Sequence, residues 1–259
     1  MVKGVSVKFE SYGSTIPKLL KLIKFDQELK RHDKVVIKPN LLTKEGKTPV
    51  EFAEEVIKFS VEHKAPSGEI FIAEGCDGED TMEIFNAVGY KRLAEKYGVG
   101  LIDLNKAECE KLDNEEFGWF DSIMYPTILK DSFIVSLPKL SLSEKHHFNG
   151  SLSNMVGAFP LRHYKGFFSS RKNKLDSVPV KYQVHDIVRC RAPGLALIDA
   201  SEHGHILIGQ PLEMDKQAAK LLGIDWRTVE HLRLINETMS KMPMIPKEIP
   251  QEDKSEMAS

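Results

Sequence analysis

The chain has 259 residues, with 36 Lys and Arg against 38 Asp and Glu, so its formal net charge is −2. Hydrophobic residues make up 41% and charged residues 29%, which is the composition of a globular protein rather than a disordered or fibrous one. This charge balance excludes a chain that coats nucleic acid by bulk charge, although it allows a local basic patch. The longest apolar runs have the length of strands, far below the ~20 residues of a membrane span, so we expect no membrane partner.

The cysteine content and the amino-terminal pattern both favour a cytoplasmic protein. The three cysteines, Cys76, Cys109 and Cys190, are an odd number without a close pair. A disulfide framework is therefore not expected, and neither is a C-x-x-C redox or iron–sulfur site. Residues 1–9 alternate like a strand and lack the apolar block of a secretory signal.

The first half of the chain alternates strands with helices. The sequence predicts strands at 5–9, 34–38, 69–73, 99–104 and 131–137, and helices at 16–31, from 48 onwards, and at 81–96. In the second helix, Thr48 is predicted to act as the cap and Pro49 to occupy the first position. Short apolar strands separated by helices are typical of crossover connections. We therefore predict an α/β fold with a mainly parallel twisted sheet and helices on both faces.

The second half is less regular, and one part of it is predicted to be a loop-rich insertion. The pattern predicts a hairpin at 117–129, a loop-rich excursion at 160–193, strands at 195–198 and 206–208, and helices at 213–222 and 225–238. Residues 241–259 mix prolines with charges, which predicts a disordered tail. Residues 1–240 are thus expected to form a single domain.

Polar residues follow several of the predicted strands at their carboxyl ends, where open parallel sheets bind ligands. These residues are Lys38, Asn40, Glu74, Asp77, Lys139 and Asp199. The two lysines favour an anionic small molecule with a phosphate or carboxylate group, because an ammonium is a compact point charge. Gly75 and Gly78 would allow the backbone to approach closely. The G-x-G-x-x-G spacing of dinucleotide sites is missing, and helix capping is the alternative role for Asn40, Asp77 and Ser201.

An ordered series of short motifs resembles the domain-of-unknown-function 362 family. The motifs lie at 36–41 (VIKPNL), 71–75 (FIAEG), 85–90, 98–104, 137–140 (LPKL), 150–157, 198–200 (IDA), 215 and 221–223 (LLG). The resemblance implies an α/β protein whose biochemical role is mostly unassigned. It carries over Lys38, Asn40, Lys139, Asn154 and Asp199 as site residues.

The chain also departs from the pattern of that family. Longer relatives append ferredoxin-like cysteine motifs, which this sequence lacks, so no iron–sulfur cluster is expected. Ser141, Ser143 and Ser153 stand where many relatives have lysine or histidine.

Histidines in the second half offer two further roles. His203 and His205 could share one face of an extended segment and, with Asp199, hold a divalent metal such as zinc, iron, manganese or nickel. Alternatively, Gly204 turns the chain and separates the two rings. His163 or His147 could act as a general acid or base, with Asp199 as a second candidate for the base.

The segment 162–174 mixes five cations with three aromatic residues. One interpretation anchors a long loop on the core through Tyr164, Phe167 and Phe168 and leaves Arg171, Lys172 and Lys174 in water. A second makes the segment a lid over an anionic ligand, and a third makes it a weak binder of single-stranded nucleic acid. The alternative to a small-molecule site is therefore a non-catalytic protein that contacts partners through this segment.

Overall fold

The computed structural model describes residues 4–41 and 47–239. The strands are β1 (Gly4–Lys8), β2 (Lys34–Pro39), β3 (Glu69–Glu74), β4 (Gly100–Asp103), β5 (Cys109–Asp113), β6 (Ser122–Pro126), β7 (Phe133–Leu137), β8 (Leu142–Ser143), β9 (His147–Phe148), β10 (Leu195–Ala200) and β11 (His205–Gly209). The helices are α1 (Tyr12–Leu22), α2 (Phe25–Leu29), α3 (Val50–His63), α4 (Thr81–Val88), α5 (Tyr90–Tyr97), α6 (Thr127–Lys130), α7 (Leu161–Tyr164), α8 (Val180–Cys190), α9 (Pro211–Leu221) and α10 (Glu230–Met239). Short 3-10 helices include Ser153–Ala158 and Asn173–Ser177.

Seven strands form the central sheet in the order β1-β11-β10-β7-β2-β3-β4. β10, β7, β2, β3 and β4 pair in parallel, whereas β11 is antiparallel to both of its neighbours. The predicted α/β fold with a mainly parallel sheet is thereby confirmed. β5 with β6 and β8 with β9 form separate two-stranded hairpins.

Hydrophobic cores lie on both faces of the sheet, because successive residues of each strand point to opposite faces. Val35 and Ile37 of β2 face one core, which is completed by the apolar sides of α1 to α5. Val36 faces the other core, which α8, α9, α10 and the β5–β6 hairpin complete. The strands are apolar on both sides, as expected of parallel strands covered by helices.

Two predicted helices are each divided into two. The predicted helix 16–31 breaks after α1, where Lys24 adopts the left-handed conformation at φ 58°. The predicted helix 81–96 breaks at Gly89, which has φ 94° and links α4 to α5. Glycine adopts this conformation without the steric cost of a Cβ atom, so α5 can change direction and pack against β4 and α3.

The second half departs further from the prediction. The hairpin starts at Cys109 rather than at 117, and the excursion 160–193 contains the eleven-residue helix α8. Helix α8 was missed because polar Gln183 and Asp186 are buried on its inner side. Gln183 donates to the Leu175 and Val178 carbonyls, and Asp186 accepts from three backbone amides of the 118–120 turn.

Further differences are small. The predicted helix 225–238 is a 3-10 turn at Trp226–Thr228 followed by α10. Thr48 does not cap α3: its hydroxyl accepts from the Asn40 amide and donates to the Leu137 carbonyl. The predicted tail 241–259 lies outside the described residues. Within residues 4–41 and 47–239, no helix has the length and apolar character that crossing a membrane requires.

Candidate functional site at the carboxyl edge of the sheet

A buried ion pair joins the carboxyl ends of β2 and β3. Lys38 Nζ donates to Glu74 Oε1 at 2.7 Å and to Asn154 Oδ1 at 3.2 Å, and both charged side chains are fully buried. β2 and β3 are adjacent parallel strands, so their last residues meet at the same edge. The sequence prediction that Lys38, Glu74 and Asn154 share one location is therefore supported by direct contacts.

Each member of this group has further bonds that fix its position. Glu74 Oε1 also accepts from the Gly75 amide at 2.7 Å, and Oε2 accepts from the Leu41 amide at 3.4 Å. Asn154 Nδ2 donates to the Lys38 carbonyl and to Ser136 Oγ, both at 3.0 Å. Glu74 neutralises the charge of Lys38. Through Asn154, the pair connects the carboxyl ends of β2 and β3 to the 3-10 helix Ser153–Ala158.

A second buried lysine reaches the same place from segment 162–174, which we call the strap. Lys172 is only 4% exposed, and its Nζ donates to the Gly75 carbonyl at 2.7 Å and to the Gly157 carbonyl at 3.1 Å. Among the described residues, no carboxylate oxygen lies within 4.0 Å of this Nζ. Burial, together with the charge of Lys38, lowers the pKa of Lys172 to about 8 against the opposing effects of Glu74 and Asp77.

The strap differs from the first of its three interpretations, the loop anchored by aromatic residues. Phe167 and Phe168 do not anchor it on the core, since they are 96% and 106% exposed. Lys172 is buried rather than in water, whereas Tyr164 is buried, as that interpretation has it. The strap is held by Asp77, which accepts from the Lys172 amide at 2.6 Å and lies 3.6 Å from the Arg171 guanidinium.

Two glycines allow the 3-10 helix Ser153–Ala158 and the end of β3 to meet. A Cβ atom on Gly75 would lie 2.5 Å from the Gly157 carbonyl oxygen, and one on Gly157 would overlap with Glu74 Oε1. The predicted close backbone approach at Gly75 is thus observed, and its partner is Gly157. Gly78 has φ 85°, so it makes the turn before α4 rather than the approach itself.

Two more residues of this edge behave differently from their predicted roles. Asn40 is buried, and its backbone pairs with Thr48 through both amide and carbonyl. Asn105, which the sequence reasoning missed, donates to the Cys76 carbonyl and accepts from the Leu161 amide. Burial raises the pKa of the Cys76 thiol to about 12, with the charge of Glu74 adding to the effect, so a thiolate nucleophile is disfavoured at neutral pH.

A second polar group lies at the same edge, on β7 and β10. Lys139 and Asp199 form an isolated parallel bridge, and Lys139 Nζ contacts Glu202 Oε1 at 2.7 Å. Asp199 accepts from the Tyr12 hydroxyl at 2.8 Å and from the Ser201 amide at 3.0 Å. Burial raises the pKa of Tyr12 to about 12, and the charge of Asp199 contributes to this rise.

The two polar groups occupy neighbouring strands of the sheet, and within the residues that the structure describes no side-chain hydrogen bond or ion pair joins them. Lys38 of β2 is opposite Ser136 of β7, and β7 in turn pairs with β10. Lys38, Lys139 and Asp199 therefore lie along one edge, as predicted, but as two separate clusters. A cavity of about 340 Å³, lined in part by Phe133 and Leu195, lies at the amino ends of β7 and β10 and not at this edge.

The predicted metal ligands are not brought together. His203 is exposed, Gly204 turns the chain at φ 76°, and His205 Nδ1 lies 3.2 Å from Ser6 Oγ. Asp199 points instead to Tyr12. Among residues 4–41 and 47–239, no three His, Cys, Asp or Glu side chains are grouped so that they could hold a metal ion. The predicted set His203, His205 and Asp199 is therefore not grouped as a metal site in the part of the chain that the structure describes.

The candidate acid–base histidine is placed on α7, outside both clusters. His163 Nε2 accepts a hydrogen bond from Arg162 Nε at 3.0 Å, and the His163 carbonyl accepts one from Lys174 Nζ. Burial lowers the pKa of His163, and the neighbouring charges of Arg162 and Lys174 lower it further. No described hydrogen bond connects His163 with Lys38, Lys139 or Asp199.

Ser141, Ser143 and Ser153 each have a local role in hydrogen bonding. Ser141 Oγ accepts from Asn149 Nδ2 at 2.8 Å, and Ser143 Oγ accepts from the His146 amide at 3.2 Å. Ser153 Oγ accepts from the Gly150 amide at 2.9 Å and donates to its carbonyl at 3.2 Å. These bonds stabilise the β8–β9 turn and the start of the 3-10 helix Ser153–Ala158.

The fold and the site together define an open α/β protein with a buried Lys–Glu pair at the carboxyl edge of its sheet. The family model described as Domain of unknown function (DUF362) matches residues 35–215, and the chain belongs to that family. The matched region includes both polar clusters and the strap. No curated protein matches the chain significantly.

Proposed function

We propose that this protein binds a small anionic molecule, with a phosphate or carboxylate group, at the carboxyl edge of its sheet beneath the strap. The observation that carries the proposal is an excess of buried positive charge. Lys38 and Lys172 are both buried beside Gly157, but the only fully buried carboxylate that contacts either of them in the described chain is Glu74.

Glu74 is the partner of Lys38, so Lys172 is left with neutral acceptors. Its ammonium donates to two carbonyl oxygens, which compensate a buried charge less well than an anion does. The lowered pKa of Lys172 reflects that deficit. A phosphate or carboxylate that replaced the two carbonyls would supply the missing countercharge. This assigns the main binding role to Lys172 and makes Lys38 a structural residue that holds the site.

Access requires the strap to move, since Lys172 is covered in this conformation. Asp77 holds the strap at the site through one hydrogen bond, which it accepts from the Lys172 amide, and through its ion pair with Arg171. That ion pair is partly exposed, and pairs of this kind contribute little free energy. Opening of this kind is common in lids that cover anionic ligands. Lys139, at the neighbouring strand end and paired with the exposed Glu202, is the second cation that we assign to the entry of the ligand.

The test is to measure binding of inorganic phosphate and, separately, of malonate to the whole protein by isothermal titration calorimetry. Lys172→Met is expected to weaken binding by about ten- to a hundredfold, the effect of losing one charge-assisted hydrogen bond. Lys174→Met is the matched control, because Lys174 lies in the same strap but is exposed and bonded only to the His163 carbonyl. Unfolding by urea would verify that both variants are folded.

Equal affinity of Lys172→Met and wild type would contradict the proposal. An equal loss in Lys174→Met would also contradict it, because the effect would then come from the general charge of the strap. Absence of binding for both anions would remove phosphate and carboxylate as the ligand class.

A further inference from the structure

The tip of the strap exposes two phenylalanines side by side. Residues 166–169 form a turn in which the Ser169 amide donates to the Gly166 carbonyl at 3.4 Å. Phe167 and Phe168 occupy its two central positions, with ring centroids 6.2 Å apart and almost complete exposure. Large aromatic side chains dominate cores and interfaces, so a fully exposed pair is unusual in the surface of a folded domain.

The backbone holds this pair in a conformation that a phenylalanine rarely adopts. Phe168 has φ 59°, in the left-handed region where a residue with a Cβ is uncommon. The turn is fixed from behind, because the Gly166 amide donates to Asn173 Oδ1 at 2.6 Å and Ser169 Oγ donates to the Arg171 carbonyl at 3.1 Å. Strained residues of this kind concentrate at functional positions.

The surroundings of the pair are strongly basic. The strap has five Lys and Arg residues and no Asp or Glu over 162–174, in a chain whose net charge is −2. Lys172 is buried, so the exposed cations near the turn are Arg162, Lys165, Arg171 and Lys174. Arg171 contacts Asp77, but its side chain is still 64% exposed.

We infer that the Phe167–Phe168 turn docks onto the surface of an anionic lipid bilayer. A convex apolar tip surrounded by cations matches such a surface, because the rings enter the boundary of the acyl chains while the cations meet acidic headgroups. This inference differs from the sequence expectation of no membrane partner. It concerns docking on a surface rather than crossing the bilayer, and it does not depend on the anion site.

Single-stranded nucleic acid fits the tip less well. Successive bases in a strand stack in parallel on aromatic rings. The planes of the Phe167 and Phe168 rings are inclined by 53°, so the two rings do not form a parallel platform. Insertion into a bilayer interface does not require the two rings to be parallel.

The test is co-sedimentation of the full chain with phosphatidylcholine vesicles, with or without ~30% phosphatidylserine. The wild type is expected to bind the anionic vesicles, and binding should weaken as NaCl rises from ~0.05 M to ~0.5 M because the headgroup charges are screened. The double variant Phe167→Ser with Phe168→Ser is expected to bind at least roughly tenfold more weakly, since its apolar anchor is gone. Leu142→Ser, at a residue that is 72% exposed elsewhere, is the control and should bind like the wild type.

Three results would overturn this inference. The first is that the wild type does not sediment with anionic vesicles, and the second is that the double variant binds them as well as the wild type. The third is that a thymidine oligonucleotide binds the tip and the vesicles do not. Fully exposed positions tolerate serine without loss of packing, and urea unfolding would verify that the variants are folded.

Discussion

Removing one partner of the buried Lys38–Glu74 pair should destabilise the protein far more than removing both. In Glu74→Gln, the Lys38 ammonium stays fully buried but has only neutral amide oxygens as acceptors, those of Asn154 at 3.2 Å and of the new glutamine. In Lys38→Met, the Glu74 carboxylate stays buried and keeps the Gly75 and Leu41 amides. An uncompensated buried charge costs about 3–5 kcal/mol, so each single variant should lose that much of its free energy of unfolding.

The double variant Lys38→Met with Glu74→Gln has no unpaired charge at this position. It should therefore be more stable than either single variant, with a coupling free energy of at least about 2 kcal/mol. The measurement is urea unfolding followed by far-ultraviolet circular dichroism, with the free energy extrapolated to water. A matched control is Lys96→Met: Lys96 contacts Glu54 at 2.5 Å, but the lysine side chain is 59% exposed.

We expect Lys96→Met to change the free energy of unfolding little, because exposed ion pairs contribute little. The reasoning would be refuted if the buried single variants cost no more than this control. It would also be refuted if the two single costs simply added in the double variant, since the pair would then not act as a unit.

Three further predictions concern other buried residues of the fold. Gly157→Ala should cost about 1–3 kcal/mol in urea unfolding, because the added methyl overlaps with the immobile Glu74 carboxylate; a change within the error of the measurement would contradict this. His231 is buried against His146, and burial lowers the pKa of His231 to about 3. Below pH ~6.5 the unfolded chain therefore binds more protons than the folded chain. As the pH decreases from ~6.5 towards about 3, the free energy of unfolding should fall by up to ~1.4 kcal/mol per pH unit because of this residue. His231→Phe should flatten that decline, and an unchanged slope would count against it. Lys172 titrates at about 8 in the folded chain and near ~10.4 when unfolded, so stability should rise with pH between these values in the wild type and not in Lys172→Met.

The sequence was sufficient to predict the sheet and its edge. The run 35–37 is apolar on both sides, which is what a parallel strand between two helical layers requires, and it forms the centre of β2. Lys38, directly after that run, and Glu74, at the end of β3, therefore had to lie at one edge of the sheet. The family resemblance agreed, and the match over residues 35–215 confirms it.

The placement of the strap could not be predicted, because it depends on contacts between distant parts of the chain. Hydropathy puts phenylalanine inside and lysine outside, whereas here Phe168 is exposed and Lys172 is buried. The acceptors of Lys172 are the carbonyls of Gly75 and Gly157, separated from it by 97 and 15 residues. Backbone carbonyls are present at every residue, so no sequence pattern identifies which two of them will bind a lysine.

The prediction of a metal site depended on a backbone conformation that the sequence does not determine. The pattern His203-Gly204-His205 would place both rings on one face only if the segment were extended. Gly204 adopts φ 76° between the 3-10 turn Ser201–His203 and β11, so the segment is not extended at this point. The sequence shows that a glycine is present but not which conformation it adopts.

The central claim, that Lys172 is the cation for a bound anion, is tested most directly by its own titration. The protein would be labelled with ¹⁵N at the lysine amines, and the Lys172 signal would be assigned by its absence in Lys172→Met. The pKa of this amine would then be followed with and without saturating inorganic phosphate. An anion beside the ammonium stabilises its protonated form, so the account predicts a pKa near 8 in the free protein and a clear rise towards the ordinary value of lysine with phosphate. An identical titration in the presence and absence of phosphate would contradict the account.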